Sequence, residues 1–117
     1  MTIKIYHNPK CGTSRTVLGQ IRDAGHEPEI IEYLVTPPTR EEMKSLLKGM
    51  GMTPREILRR SGTPYDELNL DNEKLTDEDL LDAIGEHPIL MQRPIVVSPK
   101  GTKLCRPADL VQDLLAD

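Results

Sequence analysis

Ile3-Lys4-Ile5-Tyr6-His7-Asn8-Pro9-Lys10-Cys11-Gly12-Thr13-Ser14-Arg15-Thr16-Val17-Leu18-Gly19-Gln20-Ile21-Arg22-Asp23-Ala24-Gly25 opens the chain as strand, loop and helix. Ile3 and Ile5 alternate with Lys4 and Tyr6, and a period of two predicts a strand. Asn8-Pro9 and Gly12-Thr13-Ser14 form turns, after which Val17, Leu18, Ile21 and Ala24 recur at helical spacing until Gly25. Ile30, Ile31, Tyr33 and Leu34 predict a second short strand, ended by Pro37-Pro38. The result is a βαβ unit, whose crossover is expected to be right-handed.

Downstream, Thr39 with Glu42 three positions on makes a capping box for a helix carrying Met43, Leu46, Leu47 and Met50, with Gly49 and Gly51 read as its stops. Pro54 opens a shorter helix with Ile57 and Leu58. Thr76, followed by Asp77, Glu78 and Asp79, caps another that carries Leu80, Leu81 and Ile84. Beyond Arg93-Pro94, Ile95-Val96-Val97 predicts a strand, Pro99-Lys100-Gly101 a turn, and a further short strand ends near Cys105. Pro107 opens a last helix with Leu110, Val111, Leu114 and Leu115 as its buried stripe. This order, βαβ then helices then ββα, predicts an α/β protein of thioredoxin-like fold: one domain over residues 1–117 with a helical insertion at about 35–90.

At 117 residues the chain is the length of one ordinary domain, and 37% of it is apolar. Trp and Phe are absent, so the core must come from Leu, Ile, Val and Met, and aromatic platforms for stacking bases are lacking. The net charge of −4 also argues against a general nucleic-acid binder. No apolar run approaches the ~20 residues that span a bilayer, and the chain enters its first strand almost at once, so a soluble, unprocessed protein is expected. Two cysteines at opposite ends of the sequence do not make the dense disulfide framework of a small secreted domain, which points to the reducing cytoplasm.

Cys11 lies where the first strand passes into the first helix. Helical N–H groups there have no intrahelical partner, and the helix dipole favours an anion, so a thiolate is stabilised. Nearby cations lower a thiol pKa further from about 8.5, and Lys10, Arg15 and His7 are the local candidates. A buried, inert cysteine is the alternative, disfavoured by a loop position between Pro9 and Gly12. Ser14 stands where a C-x-x-C pair needs its second sulfur, so the site is monothiol. Val17 stands where a phosphatase-like C-x5-R loop needs its arginine, and no phosphate-binding P-loop motif is present. His7, His26 and His87 with the two cysteines show no zinc-ligand spacing; His26 and His87 are assigned to loops or surface, and the methionines to packing.

The stretch from Tyr6 to Arg15, with Tyr33-Leu34 ahead of Thr36-Pro37-Pro38-Thr39-Arg40, His87-Pro88-Ile89-Leu90, Arg93-Pro94-Ile95-Val96-Val97 and Leu104-Cys105-Arg106-Pro107, closely resembles the glutaredoxin-coupled arsenate reductases over essentially the whole chain. The resemblance implies that Cys11 is the nucleophile, that His7 favours its thiolate, and that Arg59, Arg93 and Arg106 gather around the arsenate oxyanion. Planar guanidinium forks suit that task, because an anionic substrate otherwise repels a thiolate. Arg60 adjoins Arg59, so which of the two faces a site stays open, as does a solvated helix charge for either and a loop-packing role for His7. Pro94 resembles the cis-proline of thioredoxin-type sites. The resemblance further implies glutathione as cosubstrate, glutaredoxin as partner, and no bound cofactor or metal. Cys105 is either a resolving thiol or structural; alternation along a strand turns it away from Arg106 and favours the structural role. A general glutathione-dependent thiol reductase and a thioredoxin-like redox-sensing regulator are the rival readings.

Overall fold

The computed structural model describes residues 1–116, which form two compact units: Met1–Thr36 with the segment from Arg93 onward, and Pro37–Gln92. The first is built on a four-stranded mixed sheet in the order β2-β1-β3-β4, with β1 at Lys4–His7, β2 at Glu29–Glu32, β3 at Ile95–Ser98 and β4 at Gly101–Leu104. β1 runs parallel to β2 and antiparallel to β3, so Ile5 sits between Ile30 and Val96, while β3 and β4 pair antiparallel. Helix α1, Gly12–Asp23, contributes Val17 and Ile21 to a core shared with Ile3, Ile5, Val96, Cys105, Val111, Leu114 and Leu115. The mixed sheet with its helices is the thioredoxin-like fold expected from the element order.

Several local expectations shift by a few residues. Alternation suggests one buried face for β1, yet Ile5, Tyr6 and His7 are all buried, so this central strand is covered on both faces. The second strand is Glu29–Glu32; Tyr33 and Leu34 fall in the turn that follows, Tyr33 fully buried and Leu34 exposed. Apolar character there marks burial of one ring in a turn rather than strand. The last helix opens as a 3₁₀ turn at Ala108–Val111 and becomes α-helical only at α5, Gln112–Leu115. Val111, Leu114 and Leu115 are buried and Leu110 only partly so. Gly101 holds φ +146 at the β3–β4 turn, a conformation side chains disfavour.

The second unit carries α2 at Arg40–Met50, α3 at Pro54–Ile57 and α4 at Asp77–Glu86. Each begins with a reciprocal capping box: Thr39 with Glu42, Thr53 with Glu56, and Thr76 with Asp79. Such caps contribute typically ~1 kcal/mol each, and they explain why short helices start where they do. Gly49 does not stop α2, which runs through it; Gly51 does, with φ 67, satisfying the end by donating to the Leu47 and Lys48 carbonyls. Met43, Leu46, Leu47, Leu80, Leu81 and Ile84 are the buried faces of α2 and α4. Arg40 pairs with Glu78 and Asp82 across these helices, exposed contacts of small energetic weight. A 3₁₀ turn at Pro88–Leu90 leads back, and Leu58 and Met91 form an isolated antiparallel bridge. Among the described residues no helix is long and apolar enough to cross a membrane.

Candidate active site

Cys11 is the N-cap of α1, in extended conformation (φ −90, ψ 122), and is partly exposed. Its own amide donates to the Asn8 carbonyl (3.0 Å), which folds the loop tightly under the sulfur. Asn8 shapes the same loop through its side chain, whose Oδ1 accepts from the Lys10 amide at 3.0 Å, the Asx-turn geometry two residues on. Beneath, Ser14 is fully buried: its Oγ accepts from the Asn8 amide (3.1 Å) and lies 2.6 Å from His7 Nδ1. In the sequence Ser14 matters only as the residue that excludes a dithiol; the fold makes it the hub tying the end of β1 to the first turn of α1. Its signal is a hydroxyl five residues after Pro9, too common to stand out.

Two arginines from the far end of the chain reach the sulfur. Arg106 Nη1 lies 3.7 Å from Cys11 Sγ and donates at 3.0 Å to the Arg93 carbonyl. Arg93 is 8% exposed, and its guanidinium also bonds to the Cys11 sulfur. β3 begins two residues after Arg93, and Arg106 follows β4 by two, so the antiparallel pair of Ile95 with Leu104 brings them together. The Arg93–Pro94 peptide is cis, and so is Arg106–Pro107.

Burial alone would push the Cys11 thiol up, but the Ser14 backbone N–H, then Arg93 and Arg106, more than offset it and hold its pKa below the ordinary value. The local cations expected from sequence are not those that act here. Lys10 and Arg15 are exposed, and Arg15 Nη1 donates to the Pro9 carbonyl. Desolvation lowers the His7 pKa, Glu32 opposing and Arg15 and Arg22 adding, so the ring is neutral at pH 7 and engages Ser14. Any help His7 gives the thiolate therefore passes through Ser14 and the loop, not through an imidazolium.

Alkylation of Cys11 by iodoacetamide is accordingly expected to have its midpoint below the ~8.5 of a free thiol. His7→Asn, which keeps a polar atom near the Nδ1 position and cannot ionise, is expected to leave that midpoint in place. An upward move of a full pH unit in this variant would restore the charged-imidazole role.

Cys105 faces the core beneath the sheet, fully buried, with its thiol pKa pushed up to about 12 by desolvation. It turns away while Arg106 turns toward Cys11. Cys105→Ala is therefore expected to keep near-wild-type turnover and to lose about 1 kcal/mol of stability from a small cavity. Collapse of turnover with stability unchanged would reveal a thiol relay.

Arg59 and Arg60 belong to the second unit. Arg60 is exposed, paired with Asp66 at 2.6 Å and stacked over the Tyr65 ring at 5.2 Å. Arg59 is half-buried, its Nε donating to the Ser61 carbonyl (3.1 Å) and its Nη1 to Gln92 Oε1 (3.3 Å). His26 lies in the loop before β2 and His87 caps the end of α4. Among the described residues no group of three or more His, Cys, Asp or Glu is placed to hold a metal ion.

One thiolate at a helix N-terminus, with two guanidinium groups beside it on a thioredoxin-like sheet, defines a single-thiol site suited to a small oxyanion. The chain belongs to the ArsC family, whose profile matches residues 6–114. It is 53% identical over 117 residues to the arsenate reductase of Rhizobium meliloti (strain 1021), spanning all of this chain and 84% of that protein. The arsenate reductase of Escherichia coli (strain K12) is 54% identical over 115 residues, covering 98% of this chain and 82% of its own. Among solved structures, the arsenate reductase from Vibrio cholerae matches with a TM-score of 0.92 at 40% identity, covering 97% of this chain and 98% of that one.

Proposed function

We propose that this protein is an arsenate reductase working through Cys11. The observation that carries the reading is the approach of Arg106, with Arg93, to a Cys11 sulfur already biased toward thiolate. A thiolate beside two guanidinium forks meets a tetrahedral oxyanion with its charge neutralised and its central atom in reach. Cys11 displaces one oxygen of arsenate as water or hydroxide and forms a sulfur–arsenic bond. Glutathione thiolate then attacks the Cys11 sulfur; a disulfide bond forms, the sulfur–arsenic bonding pair stays on arsenic, and As(V) leaves as arsenite, As(III). Two thiols have been oxidised and arsenic reduced by two electrons. Because Ser14 provides no second sulfur, the Cys11–glutathione disulfide needs an external thiol, and glutaredoxin fills that role.

Arg93 and Arg106 bind the oxyanion in this reading, and Arg59 joins them on the strength of the family resemblance. His7 positions Ser14 and the nucleophile loop. In this reading the whole chain, residues 1–117, acts as one reductase domain with a helical insertion at about 35–90. A glutathione-dependent reaction and two free cysteines fit the reducing cytoplasm. The test is steady-state arsenite production by purified protein with arsenate, glutathione and glutaredoxin. Turnover that requires all three supports the reading; deglutathionylation of a thiol substrate without arsenite would favour a general thiol reductase instead.

A further inference from the structure

We propose that Arg15 is a specificity-determining residue for the reducing thiol, anchoring a carboxylate of glutathione beside the nucleophile loop. The assignment rests on the reading of glutathione as the thiol that attacks the Cys11 sulfur. Glutathione is an anion at pH 7, with two carboxylates and one ammonium, and it approaches a sulfur that already carries an anionic arsenic group. On that reading Arg93 and Arg106, which bond at the sulfur, are engaged by the oxyanion. A further cation is needed to offset the charge of the second substrate. It must stand close to Cys11, because each carboxylate of glutathione belongs to a residue adjoining the thiol-bearing cysteine.

Arg15 meets both conditions within the first unit. It is exposed, its Nη1 donates to the Pro9 carbonyl at 2.9 Å, and its Nη2 lies 3.8 Å from where a Cβ on Gly12 would sit. The guanidinium is thereby laid across the loop that holds Cys11. Apart from adjacent main chain, no other described atom comes within 4 Å of that Cβ position, so there is open space beside Gly12 for a ligand group to enter. The acceptor on Pro9 is neutral and leaves the charge uncancelled. Among the described residues Arg15 has no carboxylate partner, and the first turn of α1 holds no acidic residue to compete. Arg22, on the same helix, shows the alternative outcome, tied to Glu27 at 2.9 Å. A fork pinned at one nitrogen by a neutral group keeps its other donors for a carboxylate and loses little freedom in binding it.

Single-turnover kinetics without glutaredoxin isolate the glutathione step: protein and arsenate are mixed with a thiol at varied concentration, and arsenite and the Cys11 mixed disulfide are followed together. Arg15→Gln is expected to lower the second-order rate constant for glutathione roughly three- to tenfold, between the weight of an exposed ion pair and that of a pinned charge-assisted bond. Arg15→Lys should recover part of the loss. Lys10→Gln removes an equal charge from the same exposed loop without a pinned fork, and should cost less than about twofold. With uncharged 2-mercaptoethanol as reductant, and in alkylation of Cys11 by iodoacetamide, Arg15→Gln should match wild type. Glutathione esterified at glycine and N-acetylcysteinylglycine, which lacks the glutamyl carboxylate, tell the two carboxylates apart. The ratio of wild type to Arg15→Gln should fall to one for the thiol missing the anchored group and persist for the other. A wild-type rate constant for Arg15→Gln with glutathione, an equal loss in Lys10→Gln, or an equal loss with 2-mercaptoethanol would overturn the assignment while leaving arsenate reduction standing. If the wild-type protein forms no arsenite from arsenate and glutathione, the reading beneath fails, and the assignment with it.

Discussion

Cys11→Ser is expected to have no measurable arsenate turnover, while unfolding no more easily than wild type. The two halves of this expectation have separate causes. Sulfur is the reacting atom, and at neutral pH a serine hydroxyl stays protonated where the thiol, held below its ordinary pKa by the Ser14 amide, Arg93 and Arg106 against the desolvation that opposes them, is readily ionised. The structural cost is small because the cysteine side chain makes no cap bond at the start of α1. Serine is among the preferred N-cap residues, and its oxygen can accept from the free helical amides. Thermal unfolding alongside the arsenite assay separates the effects. Full turnover by this variant would end the assignment of Cys11 as nucleophile.

The second large effect is expected from Arg93→Ala and Arg106→Ala. Each removes a charge-assisted contact worth ~1.5–3 kcal/mol, or roughly ten- to over a hundredfold in kcat/KM, whereas an exposed ion pair contributes below about 1 kcal/mol. The losses have two sources that pH resolves. Removing either guanidinium takes away a group that lowers the Cys11 pKa, so the thiolate fraction at pH 7 falls and the alkylation midpoint moves upward. Raising the pH recovers that part of the rate. The remainder, loss of oxyanion binding, does not recover. Lysine at either position is expected to restore the thiol reactivity better than the turnover, because an ammonium supplies charge without the two-pronged geometry. The Arg106 variant also loses the bond to the Arg93 carbonyl, so the two positions are expected to be non-additive. Near-wild-type kcat/KM in both alanine variants at fixed ionic strength would remove the oxyanion site and favour a general thiol reductase.

Much of the molecule was determined within a few residues of each point in the chain. Thr39, Thr53 and Thr76 start their helices because an N-cap hydroxyl and a carboxylate three positions on satisfy each other's neighbouring amides, with no help from the rest of the fold. Cys11 at the strand-to-helix junction was legible for the same reason, since free helical amides are a local property. So was the monothiol character, read from Ser14. Limits appeared where a residue's fate depends on what covers it: Tyr33 looked like strand and is a ring buried in a turn, and Gly49 looked like a stop and lies inside α2.

The cations around the thiol belong to the tertiary structure. Local sequence offered His7, Lys10 and Arg15, the nearest cations along the chain, yet desolvation keeps His7 neutral and Arg15 turns to the Pro9 carbonyl. The cations that act are Arg93 and Arg106, far from Cys11 in the sequence and brought to it by the pairing of β3 with β1 and β4. Cys105 and Arg106 part company by the same logic: adjacent side chains at a strand end point to opposite faces, and only the completed sheet makes one face a core and the other an anion site. Capping is a short-range bond between near neighbours, legible wherever the pattern occurs. Electrostatics and burial act through space, and the distances they need exist only after the chain has folded.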